Sequence, residues 1–228
     1  MNEAIEGIRG GLVVSCQVPR GHPLRDPGIM ALFAQCAKLG GAAGLRVNGP
    51  DDIAAVRRRS ALPVIGLFKV PGDARDFITP GFDEAAELAG AGAQIVAVEA
   101  TGEVPGDPLA LIRRIRDELG LPVMADIATL EEGLRARDAG ADLVGTTLSG
   151  YTSATRSDVP GPDLRLVGDL AARGVPTIAE GRYATRTDVA SAFEAGAWSV
   201  VVGTAITDPV AITHNLVQAT PRSGAGNV

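Results

Sequence analysis

The chain repeats one local pattern along its length: a helical stretch ends at a small triplet centred on glycine, and an apolar run follows. The apolar runs occupy residues 43–49, 95–101, 142–150 and 199–206. Glycine suits the end of a helix, where the backbone turns into the left-handed region. The repeat therefore predicts four helix-to-strand junctions, at Gly40-Gly41-Ala42, Ala91-Gly92-Ala93, Ala139-Gly140-Ala141 and Ala195-Gly196-Ala197.

A second series of apolar runs alternates with the first and predicts four further strands. Three of its members open with a proline, which the first residue of a strand tolerates because no ladder donor is needed there. The series comprises residues 11–17, Leu62-Pro63-Val64-Ile65, Leu121-Pro122-Val123-Met124 and Val175-Pro176-Thr177-Ile178. Residues with helical periodicity lie between the strands, for example at 107–120 and 129–140.

Eight strands that alternate with helices predict a parallel sheet, because continuous apolar runs are typical of strands buried on both faces. Eight β/α units within roughly 200–250 residues describe a TIM (β/α)8 barrel. The competing fold is a doubly wound open sheet, but such a sheet usually has fewer strands, and no Gly-x-Gly-x-x-Gly fingerprint follows the first strand. We expect one barrel domain over residues 1–220 and a flexible tail over residues 221–228.

The bulk composition argues against several classes of partner. A net charge of −6 and a pI near 5.0 do not suit a nucleic-acid surface, which needs a basic face. No apolar run approaches the roughly 20 residues of a membrane span. Two cysteines without metal-ligand spacing indicate a reducing compartment, so we expect a cytoplasmic protein. We expect no metal and no cofactor, and we predict that the isolated His22 and His214 are solvated.

Two residues at predicted strand ends, where TIM barrels build their active sites, suit proton transfer. Lys69 is one of only two lysines among 21 basic residues, and a lysine, unlike an arginine, can release its proton in a protein. The third and seventh strands of an eight-stranded barrel are opposite each other, so Lys69 and Glu180 are predicted to face each other. Such a pair suits inversion at a carbon next to a carbonyl. The alternative is a buried ion pair or a polar layer in the barrel.

The ends of the last two strands predict a phosphate site. Barrel enzymes often bind phosphate between the loops after the seventh and eighth strands, through backbone N–H groups and a helix N-terminus. The residues at these positions are Gly181, Arg182, Gly203 and Thr204. The alternative for each glycine is a tight turn. Arg46, on the second strand, would hold phosphate or a carbonyl oxygen, or would form an ion pair with Glu99 or Asp126.

Six motifs carry a resemblance to a known family. Two are specific, Gly145-Thr146-Thr147-Leu148-Ser149-Gly150-Tyr151-Thr152 and Ile178-Ala179-Glu180-Gly181-Arg182. The others are Val13-Val14-Ser15-Cys16-Gln17, Pro63-Val64-Ile65-Gly66, Met124-Ala125-Asp126-Ile127 and Val200-Val201-Val202-Gly203. Together, over residues 11–218, they resemble the N-acylmannosamine-6-phosphate 2-epimerases of sialic acid catabolism.

The resemblance implies a TIM barrel without metal or organic cofactor that inverts C2 of a sugar phosphate. The family interconverts N-acetyl-D-mannosamine 6-phosphate and N-acetyl-D-glucosamine 6-phosphate. The resemblance gives the proton-transfer roles to Lys69 and Glu180. It gives sugar and phosphate binding to the side chains of Gln17, Arg46, Asp126 and Arg182 and to the backbone of Gly181, Gly203 and Thr204.

The chain departs from the family pattern at three places. Val70 follows the lysine where the family usually has a charged pair, Glu99 stands where it usually has Asp, and Asp208 stands where it usually has a basic residue. An altered substrate preference is one interpretation. Two other hypotheses stay open: a lyase that forms a Schiff base through Lys69, and a non-catalytic barrel that binds a phosphosugar. The fold alone suggests a homodimer.

The sequence does not decide which hydroxyl of the sixth strand end lines the site. Both Thr147 and Ser149 lie in the Gly-Thr-Thr-Leu-Ser-Gly stretch.

Overall fold

The computed structural model describes residues 2–156 and 161–221. Eight parallel strands close into a barrel in the order β1-β8-β7-β6-β5-β4-β3-β2, which confirms the predicted TIM barrel. The strands are β1 (Leu12–Cys16), β2 (Gly44–Asn48), β3 (Val64–Leu67), β4 (Ile95–Glu99), β5 (Val123–Asp126), β6 (Leu143–Gly145), β7 (Thr177–Ala179) and β8 (Ser199–Val202).

Helices cover the outside of the barrel in the described part of the chain. They are α1 (Glu3–Gly7), α2 (Pro27–Leu39), α3 (Pro50–Arg57), α4 (Phe82–Ala91), α5 (Pro108–Arg114), α6 (Leu130–Asp138), α7 (Leu164–Ala171), α8 (Arg186–Glu194), α9 (Thr204–Thr207) and α10 (Pro209–Val217). A π-helical turn, Ile115–Leu119, continues α5. Thr129 and Thr185 form capping boxes at the starts of α6 and α8, which satisfy amide groups that the helix itself leaves free.

The junctions that the repeat predicts have the expected backbone. Gly92, Gly140 and Gly196 have φ values of +101°, +106° and +98°, which only glycine adopts without strain. The prolines of the second series precede β3, β5 and β7. Their carbonyl groups accept hydrogen bonds from neighbouring strands, as from Leu45 N to the carbonyl oxygen of Pro63, 2.9 Å away. A proline at this place therefore still pairs with the neighbouring strand through its carbonyl group, although it has no N–H to donate.

The apolar core has two main layers. One cluster, with Val14, Leu45, Val96 and Val144 among its members, packs between strands and helices. A second cluster joins other residues of the strands to Ile5 and Ile8, from α1 and the turn after it. Because α1 precedes β1 and packs against this second cluster, it covers the N-terminal end of the barrel and leaves the C-terminal end for ligands.

Lys69 does not belong to a barrel strand. β3 ends at Leu67, and Lys69–Val70 pairs antiparallel with Phe77–Ile78 in a small hairpin between β3 and α4. The prediction that the third strand runs to Lys69 was therefore wrong. Phe68 leaves the ladder because its N–H and C=O groups bond to Thr79, at 2.9 and 2.7 Å.

Three expectations concern the C-terminal tail, the domain boundary and a membrane span, and the structure tests them only within the residues that it describes. Residues 222–228 of the predicted tail lie outside the described residues, and the boundary of the single domain at residue 220 stays a prediction. Within the described residues, no helix is both long and apolar enough to cross a membrane.

Candidate active site

A cavity of about 1430 Å³ opens at the C-terminal ends of the strands. Lys69 and Glu180 both border it, together with predicted binding residues from β1, β7 and β8: Gln17, Gly181, Arg182, Gly203 and Thr204. A smaller pocket of about 280 Å³ shares the walls formed by Gln17, Lys69 and Glu180, and Arg46 also borders it. Asp126 borders neither space and is fully buried.

Arg46 lies at the centre of a buried network of charges. Its two terminal nitrogens donate to the two carboxylate oxygens of Asp126, at 3.0 and 2.5 Å, and one of them also donates to Glu180. Burial alone would lower the pKa of Arg46, but the two carboxylates raise it, so the guanidinium stays charged. The open alternative of an ion pair with Asp126 is confirmed, and the one with Glu99 is wrong.

The end of β6 holds Glu180 through two threonines. Thr146 Oγ1 donates to the carbonyl oxygen of Glu180 and accepts its N–H, at 2.9 and 3.1 Å, which fixes the backbone. Thr147 Oγ1 lies 2.5 Å from Asp126 Oδ1 and 3.2 Å from Glu180 Oε2. Thr147 therefore lines the site. Ser149 points elsewhere and donates to Asp163, the N-cap of α7, at 2.6 Å.

Burial shifts the pKa values of both candidate proton-transfer groups. It raises the pKa of Glu180 to about 6, against the lowering effect of Arg46 and with a further rise from Asp126. Burial lowers the pKa of Lys69, and the positive charge of Arg46 lowers it further. The charged form of each group loses hydration in the cavity wall. The two pKa values consequently lie closer together than those of a free carboxylate and a free amine.

The backbone of Lys69 is held from several sides. Its N–H donates to Asn48 Oδ1 at 2.9 Å, at the end of β2, and its carbonyl accepts from Arg20 at 3.4 Å. The hairpin adds its pairing with Ile78. The charges of Glu180 and Asp76 raise the pKa of Lys69 and partly offset the effect of burial.

The chain turns sharply after β7, at the end of the cavity where a phosphate is predicted. Gly181 has a φ of +106° and Arg182 a φ of +62°, a value that is uncommon for residues other than glycine. In α9 the first amide bonds run from Ile206 and Thr207 to the carbonyl oxygen of Gly203. The amides of Thr204 and Ala205 precede these bonds, in the first residues of the four-residue α9.

The Arg182 side chain is engaged within the protein. It donates to the carbonyl oxygens of Gly161 and Ser149, at 2.6 and 2.8 Å, and its guanidinium lies 5.3 Å from the centre of the Tyr151 ring. These bonds hold the loop after β6 against the loop after β7. Arg182 also borders the cavity, and the N–H groups that do not take part in these bonds are left to contact a ligand.

Gln17 borders the cavity and carries a buried acceptor that has no partner among the described residues. Its Nε2 donates to Ser15 Oγ at 2.7 Å, and its buried Oε1 has no hydrogen-bond partner among the described residues. An unpaired buried acceptor costs free energy until a donor reaches it. A ligand hydroxyl or amide N–H would satisfy this oxygen.

Two departures from the family pattern have partners in the structure. The buried Glu99 receives both terminal nitrogens of Arg75, at 2.6 and 2.9 Å. Asp208 caps α10 and lies 3.2 Å from His22 Nε2. The prediction that His22 is solvated was wrong: only 7% of its side chain is exposed, because the first loop of the barrel folds against the last helix. His214 is exposed on α10, as predicted.

The described residues contain no group of three or more His, Cys, Asp or Glu side chains that could hold a metal ion. The expectation of a metal-free site stays an expectation. Sequence reasoning missed Arg75, Asp76 and Tyr151, which border the smaller pocket. All three lie in loops, where no periodic pattern marks the orientation of a side chain.

An amine and a carboxylate at the mouth of one barrel define a TIM-barrel protein equipped for acid–base chemistry. The family model described as "Putative N-acetylmannosamine-6-phosphate epimerase" matches residues 30–222. The chain belongs to this family, which confirms the resemblance seen in the sequence.

Several curated and solved relatives agree with this assignment. A protein of Thermosynechococcus vestitus named "Putative N-acetylmannosamine-6-phosphate 2-epimerase" is 49% identical over 210 residues, 91% of each chain. One of the same name from Caldanaerobacter subterraneus is 43% identical over 221 residues, 94% of this chain and 93% of the relative. The solved N-acetylmannosamine-6-phosphate 2-epimerase of Clostridium perfringens superposes with a TM-score of 0.89 at 37% identity, covering 95% of this chain and 96% of that chain.

Proposed function

We propose that the chain inverts C2 of N-acetyl-D-mannosamine 6-phosphate to give N-acetyl-D-glucosamine 6-phosphate. Lys69 and Glu180 carry out the proton transfers. The observation that carries the proposal is that these two groups border one cavity in a chain of the epimerase family. Relatives at 43–49% identity over more than nine-tenths of the chain bear the name of this activity.

The reaction needs one proton to leave C2 and another to arrive on its opposite face. The C2 proton is acidic only when C1 is an aldehyde, so ring opening precedes or accompanies its removal. One group takes this proton, and the C1 oxygen holds the resulting negative charge. The other group delivers a proton to the second face, and the ring closes. Positioned acid and base groups typically contribute roughly 10²–10⁴-fold each.

The altered pKa values of Lys69 and Glu180 support this use of the pair. The raised pKa of the Glu180 carboxyl and the lowered pKa of the Lys69 amine bring the proton affinities of the two groups closer together, which favours their use as an acid–base pair. The proton balance is the same whichever of the two groups acts on a given face of C2.

The remaining predicted site residues support two subsites. Arg46 bonds both Asp126 and Glu180 and thereby orients the Glu180 carboxylate. Asp126 borders neither cavity, so the sugar reaches it only if the cavity becomes deeper. We infer that Gln17 Oε1 accepts from the acyl amide or a hydroxyl of the sugar. We infer that the phosphate is bound at the β7 and β8 ends, by the residues Gly181, Arg182, Gly203 and Thr204.

Proton NMR in D₂O tests the proposal directly. The protein is mixed with N-acetylmannosamine 6-phosphate, and the C2 proton signals of both epimers are followed. We expect solvent deuterium at C2 of the product. Inversion without any deuterium at C2 would contradict two-sided proton transfer, and tight binding without turnover would favour the non-catalytic hypothesis.

The Schiff-base hypothesis also uses Lys69, and a separate experiment distinguishes it. Borohydride added with the phosphosugar reduces an imine to a stable adduct on the amine. We expect intact-protein mass spectrometry to find no added sugar mass on Lys69. An adduct at Lys69 would favour a lyase.

We further infer a cytoplasmic homodimer. Cys16 and Cys36 are both free thiols, as in reducing compartments. α10 has no buried residue, and Val210, Leu216 and Val217 are exposed on it, which suits a helix that another subunit covers. Light scattering after gel filtration measures the mass in solution, and a monomer at micromolar concentration would contradict the dimer.

A further inference from the structure

The hairpin between β3 and α4 decides where the amine of Lys69 lies, because Lys69 is outside the barrel ladder. Lys69 pairs with Ile78 in the second hairpin strand. The base of the hairpin is strained at the buried Thr79, whose φ is +46°, in the left-handed region that β-branched residues avoid. A conformation of this kind persists only when surrounding contacts fix it.

Phe68 bonds Thr79 itself, and the rest of the hairpin is held by the carboxylate of Glu99 at the end of β4. Glu99 Oε1 accepts from Arg75 at 2.6 Å and from Thr101 Oγ1 at 2.6 Å. Glu99 Oε2 accepts from Arg75 at 2.9 Å and from the N–H of Ile78 at 3.3 Å. The Glu99 side chain is fully buried, so it needs this set of donors. One carboxylate therefore holds both the hairpin turn and the strand that pairs with Lys69.

Arg75 also bonds the loop after β4, which in turn bonds the loop after β6. Its guanidinium donates to Glu103 Oε2 at 2.9 Å, and Glu103 Oε1 accepts from the N–H of Ser153 at 2.5 Å. These bonds hold down the pKa of Glu103, so the carboxylate stays charged. The bonds of Arg75 link the hairpin to the loop after β4, and through Glu103 to the loop after β6, which carries Tyr151 at the cavity.

We propose that Arg75 is a positioning residue for the epimerisation: its forked bond to Glu99 fixes the hairpin on β4 and thereby holds Lys69 at the cavity wall. The inference rests on the proposed function. Arginine suits this place because its planar fork matches the two carboxylate oxygens, which a lysine cannot do.

The test compares Arg75→Gln with Arg114→Gln. Arg114 is a matched control, because it also bonds a glutamate, Glu118, and lies over a phenylalanine ring, but it is half-exposed on α5 and away from the cavity. We expect Arg75→Gln to lower kcat about 100-fold, the effect of a small displacement of a catalytic group, with KM changed less than about threefold. Arg114→Gln should leave both constants unchanged.

The alkaline limb of the pH profile provides a readout that a purely structural role would not move. Lys69 is faced by the charges of Arg46, Glu180, Asp76 and Arg25, and burial lowers its pKa. Once the hairpin loosens, water reaches the amine, and the alkaline limb of kcat/KM moves to higher pH. Arg75→Lys keeps the charge without the forked geometry, so its kcat and its alkaline limb should lie between those of the wild type and of Arg75→Gln. If Arg75→Gln does not fold, Arg75→Lys provides the test.

The outcomes separate this inference from the proposed function. A wild-type protein without exchange at C2 would refute the proposed function and the inference with it. An active wild type with an Arg75 variant that keeps its kcat and its pH profile would refute the inference alone. A rise in KM without loss of kcat would likewise overturn it, because Arg75, which borders the smaller pocket, would then bind substrate directly.

Discussion

The charge of Glu180 should set the acid side of the pH dependence of epimerisation. Burial raises the pKa of this carboxyl from 4.5 to about 6. The difference corresponds to about 2 kcal/mol of lost preference for the charged form. Below pH 6 the ionised fraction, and with it kcat/KM, should fall about tenfold for each pH unit.

Both directions of the reaction should show the same limits. The active pair holds one proton in total, either as ionised Glu180 with protonated Lys69 or as protonated Glu180 with neutral Lys69. These forms differ only in the position of one proton, so their populations change together with pH. We expect a bell-shaped profile whose alkaline limb lies below the ordinary lysine value of 10.5, because burial lowers the pKa of Lys69.

The decisive perturbation is Asp126→Asn. The Asp126 carboxylate raises the pKa of Glu180, whereas Arg46 lowers it. The variant removes the repulsion and leaves the guanidinium in place, so the acid limb should move to lower pH. The substrate phosphate also titrates near pH 6. Its contribution is common to both proteins, and the difference between them therefore reports Glu180.

The assay follows kcat/KM from both epimers by NMR over roughly pH 5 to 10, a range that contains both limbs. Asp169→Asn is the control, because this carboxylate lies on the surface of α7, paired with Arg165. It should leave the profile unchanged. An acid limb that stays in place or rises in Asp126→Asn would refute the electrostatic argument, as would different limbs for the two directions.

Three further substitutions test separate parts of the structure. Lys69→Arg should keep the fold and lower kcat by roughly 10²–10⁴-fold, with the exposed Lys38→Arg as its control; near-normal rates would remove Lys69 from the mechanism. Gly11→Ala would place a Cβ 2.3 Å from a neighbouring Cβ and should cost about 1–3 kcal/mol in thermal unfolding, whereas Gly102→Ala meets nothing and should be neutral. Arg182→Gln should raise KM for the phosphosugar by roughly 10–100-fold with kcat less affected; an unchanged KM would remove Arg182 from phosphate binding.

The barrel could be predicted from the sequence because its signals are local. Each glycine triplet and each strand proline marks a junction between neighbouring elements, and these seven junctions, together with the apolar run at residues 11–17, define the fold. The assignment of Lys69 and Glu180 to one cavity follows from the symmetry of the barrel, which converts positions in the sequence into positions around a ring.

The parts that sequence reasoning missed depend on contacts between distant residues. His22 is buried because Asp208, 186 residues away, reaches it, and no local pattern indicates this pair. The sequence predicts that β3 continues to Lys69, and it gives no sign of the hairpin, because the second hairpin strand, Phe77–Ile78, has only two residues and shows no alternation. The choice between Thr147 and Ser149 depended on the course of a turn after β6.

Because Lys69 lies on the hairpin, the position of its amine depends on contacts other than those that stabilise the barrel. Residues 71–76 form the turn of the hairpin and lie outside the eight barrel strands. A change in the length or sequence of this short segment should move the amine of Lys69 and leave the register of the barrel strands intact. Libraries directed at new acyl groups or new sugars should therefore begin with positions 71–74 and 76, with Arg75 retained.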